Sequence, residues 1–210
     1  DAAYLAFAVQ EEQLGAAIAG LRAIGARGIN VTIPHKRAVI DHLDAIDADA
    51  RTIGAVNTIV RDGERLVGAN TDATGLVRAL QDAGCDPAGS SALVLGSGGA
   101  ARAAVVGLMA AGASRVTIAA RSLERAEELA AELECATPLR ATDLSSVRAK
   151  DVDLLVQATS ATMSGGADAF ARALPIDALP DHATVIDLVY APIETTVLRV
   201  ARERGLRPVD

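Results

Sequence analysis

Leu93-Val94-Leu95-Gly96-Ser97-Gly98-Gly99-Ala100-Ala101-Arg102-Ala103-Ala104 is an apolar strand that ends in glycines and runs straight into a helix. Gly96, Gly98 and Ala101 match G-x-G-x-x-G/A. In that spacing the first position allows a tight turn, the second lets a pyrophosphate approach the backbone, and the third lets helix and strand pack closely. The first N–H groups of the helix then face an anion. A plain alternative stands beside this reading, because glycine turns between strand and helix also occur in α/β proteins that bind no nucleotide.

Downstream, strand and helix keep alternating. Helix Ala100 to Ala111 leads to strand Val116 to Ala119, helix Leu123 to Leu133, a short strand near Thr137 to Leu139, and strands Leu154 to Ala158 and Thr184 to Val189. That alternation means βαβ units and a parallel sheet. Upstream, Asp86-Pro87-Ala88-Gly89-Ser90 has the composition of a connector. Ala2 to Val9 has a strand-like bias. Leu14, Ala17, Ile18 and Leu21 then repeat at helical spacing, and Gly28 to Ile33 alternates as a strand that Pro34 ends. Helical segments are expected around Val39 to Leu43 and Ala45 to Thr52. A hairpin follows, with Ala55 to Arg61 and Leu66 to Ala69 joined at Asp62-Gly63. Thr71 or Asp72 caps a helix from Thr74 to Ala83.

The 210 residues, 50% hydrophobic and 22% charged, suit a globular chain of two small domains. A net charge of -7 without a run of Lys or Arg argues against nucleic acid and for small-molecule partners. Cys85 and Cys135 lie far apart, with no C-x-x-C and no His beside them. This suits free thiols in the cytoplasm better than a disulfide or a zinc site. No apolar run approaches the roughly 18 residues of a membrane span.

Polar residues able to do chemistry gather in the first half. Asn30 and Thr32 share a strand face, Lys36 follows a Pro34-His35 turn, Asn57 lies mid-strand, and Asn70-Thr71-Asp72 closes the hairpin. Strand carboxyl ends are where open α/β sheets bind ligands. Each residue alone also has an ordinary role: Asn57 satisfying a backbone group, Asp72 capping a helix, Lys36 on the surface. His35 and His42 are read as structural, since nothing near them in sequence pairs with them.

Seven segments in order resemble the shikimate dehydrogenase family. They are Asn30-Val31-Thr32-Ile33-Pro34-His35-Lys36, Gly54-Ala55-Val56-Asn57-Thr58, Asn70-Thr71-Asp72-Ala73-Thr74-Gly75, Gly96-Ser97-Gly98-Gly99-Ala100, Arg121-Ser122-Leu123-Glu124-Arg125-Ala126, Ala158-Thr159-Ser160 and Asp187-Leu188-Val189-Tyr190-Ala191-Pro192. The resemblance implies an α/β protein: an N-terminal α/β substrate-binding domain at 1–86, then a Rossmann-type NADP-binding domain with a parallel sheet at 87–210. It implies reversible reduction of 3-dehydroshikimate to shikimate by NADPH, on the way to aromatic amino acids, and a homodimer as the assembly to consider. It makes Lys36 and Asp72 the catalytic pair and places Asn30, Thr32, Asn57 and Tyr190 on the substrate. The cofactor falls to Gly96, Ser97, Gly98, Gly99, Ala100, Arg121, Ser122, Arg125, Thr159 and Leu188, with no metal. The chemistry agrees, because a hydride leaves an alcohol carbon only as the hydroxyl proton leaves to a base within hydrogen-bond reach.

There are departures from the family pattern. Ala120 and Ser122 stand where the family has Asn and Thr, Gln157 replaces an Asn, and Ala161-Thr162-Met163 replaces a glycine-bearing loop. The family's Ser-x-Ser substrate strand and its glutamine-bearing closing helix are expected to lie outside Asp1 to Asp210. Two further readings therefore accompany the first: a quinate/shikimate dehydrogenase paralogue and a nucleotide-binding module without catalysis. The choice of NADP also has its own footing. An NAD site carries an acidic residue about 20 positions past the glycine turn. Here that place reads Ala120-Arg121-Ser122-Leu123-Glu124-Arg125, with two guanidinium groups at i and i+4. The ordinary alternative pairs Arg125 with Glu128 or Glu132, and Ser122 either caps the helix or reaches the phosphate.

Overall fold

In the computed structural model, which describes residues 3–133, 137–163 and 167–209, the apolar spacing of Leu14 and Ile18 folds as α1 (Leu14–Ala23) after a 3-10 turn at Glu11–Gln13. Both side chains are buried, and Gly25 at φ 74° ends the helix. β1 (Gly28–Asn30) follows, then a 3-10 turn at Ala38–His42 and the short β2 (Ala45–Ile46). Asp47 caps α2 (Ala48–Ile53) by accepting from Ala50 N at 2.7 Å, and Gly54 at φ 69° closes it. β3 (Thr58–Asp62) and β4 (Arg65–Ala69) form the expected hairpin. Its loop residues are Gly63 and Glu64, with the glycine first at φ 60°, the order of a II′ turn. The sheet runs β1-β3-β4-β2, with β2 parallel to β4 and the other pairs antiparallel.

Several readings of this half change. Ala45–Ile46, expected to open a helix, instead pairs in parallel with β4 as β2, so the helix begins only at Ala48. Ala2 to Val9 forms no strand among the described residues, because the segment finds no backbone ladder. It is held instead by Tyr4 OH donating to Asn30 Oδ1 (3.2 Å) and by a 2.9 Å contact of His35 Nε2 with Val9 O. The strand from Gly28 stops at Asn30, where the chain turns so that His35 N donates to Thr32 O (2.9 Å), and Ile33 is left exposed. Asn57 precedes β3 instead of lying within it, since the αL residue Gly54 and the buried Ala55-Val56 pair occupy the approach.

The second half begins with α3 (Asp72–Asp82) and continues with β5 (Ser91–Leu95), α4 (Gly99–Ala110), β6 (Arg115–Ala120), α5 (Leu123–Glu132) and β7 (Leu139–Asp143). β8 (Leu154–Gln157), α6 (Ala167–Ala173), β9 (Thr184–Asp187), α7 (Thr196–Glu203) and β10 (Arg207–Val209) complete it. All its strand pairs are parallel, in the order β10-β9-β8-β5-β6-β7, so the sheet turns back between β5 and β8. A parallel sheet is covered on both faces. Accordingly every residue of β5, β8 and β9 is buried, and apolar clusters lie on either side of the sheet.

The chain divides into compact units at Thr71/Asp72, not at the Asp86–Ser90 connector. The reason is the packing of α3 on α4: a Cβ on Gly107 would stand 2.8 Å from Ala73 O, so the glycine lets the two backbones touch. Cys85 is a free thiol, while Cys135 lies outside the described residues.

Candidate active site

In the first unit, Asn30, Thr32, Lys36 and Asn57 come together at one end of the four-stranded sheet. Asn30 sits opposite Thr58 in register, Val31 N donates to Asn57 O (2.8 Å), and Val56 N donates to Lys36 O (2.7 Å). The Lys36 backbone is thus pinned next to Asn57 by the strand approach itself. Asn57 Nδ2 donates to Thr71 Oγ1 (3.0 Å), and its Oδ1 accepts from Thr71 N (3.1 Å) and Thr58 Oγ1 (2.9 Å). Asn70 is buried and donates to Ala55 O at 2.8 Å, a structural part that fixes the same corner. His35 meets Val9 O, as above, so the partner that sequence did not offer lies 26 residues away; its Nδ1 is buried with no hydrogen-bond partner among the described residues. His42 packs against Gly15 of α1, as the structural reading has it.

In the second unit, the cofactor residues named from sequence fall at the carboxyl ends of β5, β6, β8 and β9, the ligand-binding edge of such sheets. Gly96 adopts φ 117°, and a Cβ there would lie 3.1 Å from Thr159 Cγ2 and 3.2 Å from Ala158 O. Only glycine takes that conformation readily. Gly98 is the N-cap of α4 and offers no side-chain cap, so the first N–H groups of a twelve-residue helix are left to an anion. Ser122 caps α5, its Oγ accepting from Arg125 N at 3.4 Å. Arg121 and Arg125 are exposed, and among the described residues neither forms an ion pair. Glu132, weighed as a partner for Arg125, instead holds the buried Arg102. Asp72 opens α3, where a carboxylate is favoured by the helix dipole. Tyr190 lies beyond β9 and is 83% exposed. No group of three His, Cys, Asp or Glu among the described residues is placed to hold a metal.

Sequence reasoning gave no role to a buried polar cluster behind this edge. Asp187, at the end of β9, accepts from Val189 N (3.0 Å) and from Thr195 Oγ1 (2.7 Å), and Thr195 Oγ1 in turn caps α7. Burial pushes the Asp187 carboxyl above its ordinary value near 3.8, against hydrogen bonds from Thr195, Val189, Thr162 and Gln157. The signal was a charged residue, Asp187, inside the otherwise uncharged strand run Thr184 to Val189. A raised carboxyl favours the folded state while protonated, so its contribution is present below the unfolded value and is lost as pH rises through the folded one. In urea unfolding, the stability of Asp187→Asn relative to wild type should therefore rise as pH is raised from about 4 towards neutrality. A flat or falling difference would contradict this.

Two family descriptions match the chain in order. The shikimate dehydrogenase substrate binding domain matches residues 1–59, and shikimate / quinate 5-dehydrogenase matches residues 66–201. A shikimate dehydrogenase (NADP(+)) of Symbiobacterium thermophilum is 47% identical over 216 residues, covering 100% of this chain and 73% of that protein. The crystal structure of shikimate 5-dehydrogenase from Thermus thermophilus in complex with NADP(H) and shikimate superposes with TM-score 0.79 at 38% identity, over 95% of this chain and 72% of that one. Quinate dehydrogenase from Corynebacterium glutamicum in complex with NAD gives TM-score 0.80 at 29% identity, over 94% and 71%. With both of its halves matched in order and almost half of its residues shared with a full-length relative, the chain belongs to the shikimate dehydrogenase family.

Proposed function

We propose that the protein interconverts 3-dehydroshikimate and shikimate with NADPH and NADP, with Lys36 moving the hydroxyl proton and Asp72 as the supporting member of the catalytic pair that the family motif assigns. The reaction, an oxidoreduction at a CH-OH group, is that of its relatives. The site assignments are supported by the corner that gathers Asn30, Thr32, Lys36 and Asn57, and by the glycine edge of the parallel sheet. NADP, when bound, supplies the hydride acceptor. The φ of Gly96 and the uncapped start of α4 suit its pyrophosphate, with Thr159 beside the turn and Leu188 at the end of β9. The protein's own part is to bind and to place a proton. Asn57 and Thr32 offer an amide and a hydroxyl to ring hydroxyls, and Lys36 exchanges the proton of the reacting one. Tyr190 is assigned to the substrate by the family motif. The cytoplasm is the proposed compartment, on the cysteine spacing; no helix among the described residues is long and apolar enough to cross a membrane.

The observation that carries the cofactor choice is Arg121, exposed at the end of β6 where an NAD site would hold a carboxylate. A guanidinium pairs with phosphate oxygens in two parallel bonds and gains little from a neutral hydroxyl. Wild type should prefer NADP to NAD in kcat/KM by at least about tenfold, near 1.4 kcal/mol. Arg121→Ala should lose most of that preference through weaker use of NADP. A wild type that prefers NAD, or a ratio unmoved in the variant, would refute the assignment.

A further inference from the structure

We propose that Gln157 is a positioning residue for the bound dinucleotide, acting through the Thr159 peptide that its buried side-chain amide holds; the proposal rests on the NADP reading above. Gln157 is the last residue of β8 and is 0% exposed. Its Nε2 donates to Thr159 O at 2.9 Å and its Oε1 accepts from Thr159 N at 2.7 Å, so the amide pairs with that peptide as a neighbouring strand would. Nε2 also reaches Thr162 Oγ1 (3.2 Å) and Asp187 Oδ1 (3.5 Å). On its main-chain side Gln157 O accepts from Leu188 N at 2.9 Å. One residue therefore anchors both Thr159 and Leu188.

The consequence reaches the glycine turn. Thr159 Cγ2 and the Ala158 carbonyl wall the space that a Cβ on Gly96 would enter, so the loop locked by Gln157 sets one side of the cradle. Buried amides are costly to leave unpaired, which keeps the loop in a single arrangement. Asp187 is the titratable group that faces Gln157 among the described residues; Thr159, Thr162 and the Thr195 that binds Asp187 are uncharged.

The test uses two variants of the intact protein, with NADP binding measured by calorimetry beside steady-state kinetics. Gln157→Leu keeps the bulk and removes the pairing. It should raise the Kd and the KM for NADP at least about tenfold, with the KM for shikimate unchanged within about threefold. Gln157→Glu is a chemical switch: the protonated carboxyl still donates and accepts, whereas the carboxylate cannot donate and repels Asp187. Its NADP affinity relative to wild type should be near unity at about pH 5 and at least about tenfold weaker at about pH 8. Because both arms come from one sample, this comparison stands even if Gln157→Leu does not fold. A folded Gln157→Leu with wild-type NADP affinity, equal rises in both KM values, or a pH-independent ratio for Gln157→Glu overturns the proposal. A wild type that binds no NADP overturns the function reading and this one with it.

Discussion

Lys36→Ala should lower kcat by about 10²–10⁴-fold, the usual loss for a positioned acid–base group, while the Kd for NADP stays within about twofold of wild type. The two halves of that expectation have separate grounds. The main chain at Lys36 is held by Val56 N donating to its carbonyl, a bond that alanine keeps, so the Asn30, Thr32 and Asn57 corner survives the substitution. The residues assigned to the dinucleotide all lie in the other unit, Asp72–Asp210. The loss should therefore fall on the proton and not on the cofactor. A variant that keeps more than about a tenth of wild-type kcat removes Lys36 from the mechanism.

The second large effect is expected at the glycine turn. Gly96→Val places a β-branched residue at φ 117° and drives its Cβ to within 3.1 Å of Thr159 Cγ2 and 3.2 Å of Ala158 O. Backbone strain of this kind costs on the order of 1–3 kcal/mol, and the crowded neighbours include main chain that cannot swing aside. The turn has to move, and the anion-binding start of α4 moves with it. NADP affinity should fall at least about 100-fold, near 2.7 kcal/mol, and the protein should unfold at lower urea. Gly98→Ala separates the two causes: φ is -86° there and nothing stands within 4 Å of an added Cβ. Its stability without ligand should stay within about 0.5 kcal/mol of wild type, yet its NADP binding should weaken, because that position is where the pyrophosphate meets the backbone. Wild-type affinity in Gly96→Val would contradict the cradle.

The second unit was the more readable in sequence because its signals are local. The apolar runs at Leu93–Leu95, Val116–Ala119, Leu154–Ala158 and Thr184–Val189, with a helical repeat after each of the first two, gave β5, α4, β6, α5, β8 and β9 to within a residue or two. α6, α7 and β10 were not anticipated. α7 is capped by Thr195, whose hydroxyl also serves Asp187, and β10 exists through its parallel pairing with β9, a contact about 23 residues distant in the chain at Arg207 and Thr184. In the first unit the helix was legible from Leu14 and Ile18, and the hairpin from the glycine at position 63, although its loop is Gly63-Glu64, one place later than the expected Asp62-Gly63. The Ala2 to Val9 stretch shows the limit: an apolar run with strand-like bias is no strand without a partner to complete its hydrogen bonds. The unit boundary failed for a related reason. Pro87 and Gly89 mark a connector, but the contact that assigns α3 to the second unit is made by Gly107, 34 residues beyond Ala73.

The site divides in the same way. Motif order carried Lys36, Asp72 and the glycine turn, and the absence of an acidic residue after β6 carried Arg121. The Gln157 and Asp187 cluster was hidden because its members are read singly as a departure and as part of a motif. Their meaning lies in an amide aligned with the Thr159 peptide, which is a matter of distances.

The most direct measurement follows NADPH formation by the purified protein with shikimate as the alcohol and NADP as the oxidant, with quinate in parallel. Shikimate-dependent NADPH formation, faster than with quinate and lost in Lys36→Ala, is the predicted result. NADP binding without any shikimate-dependent reduction, or turnover that prefers quinate, would contradict it.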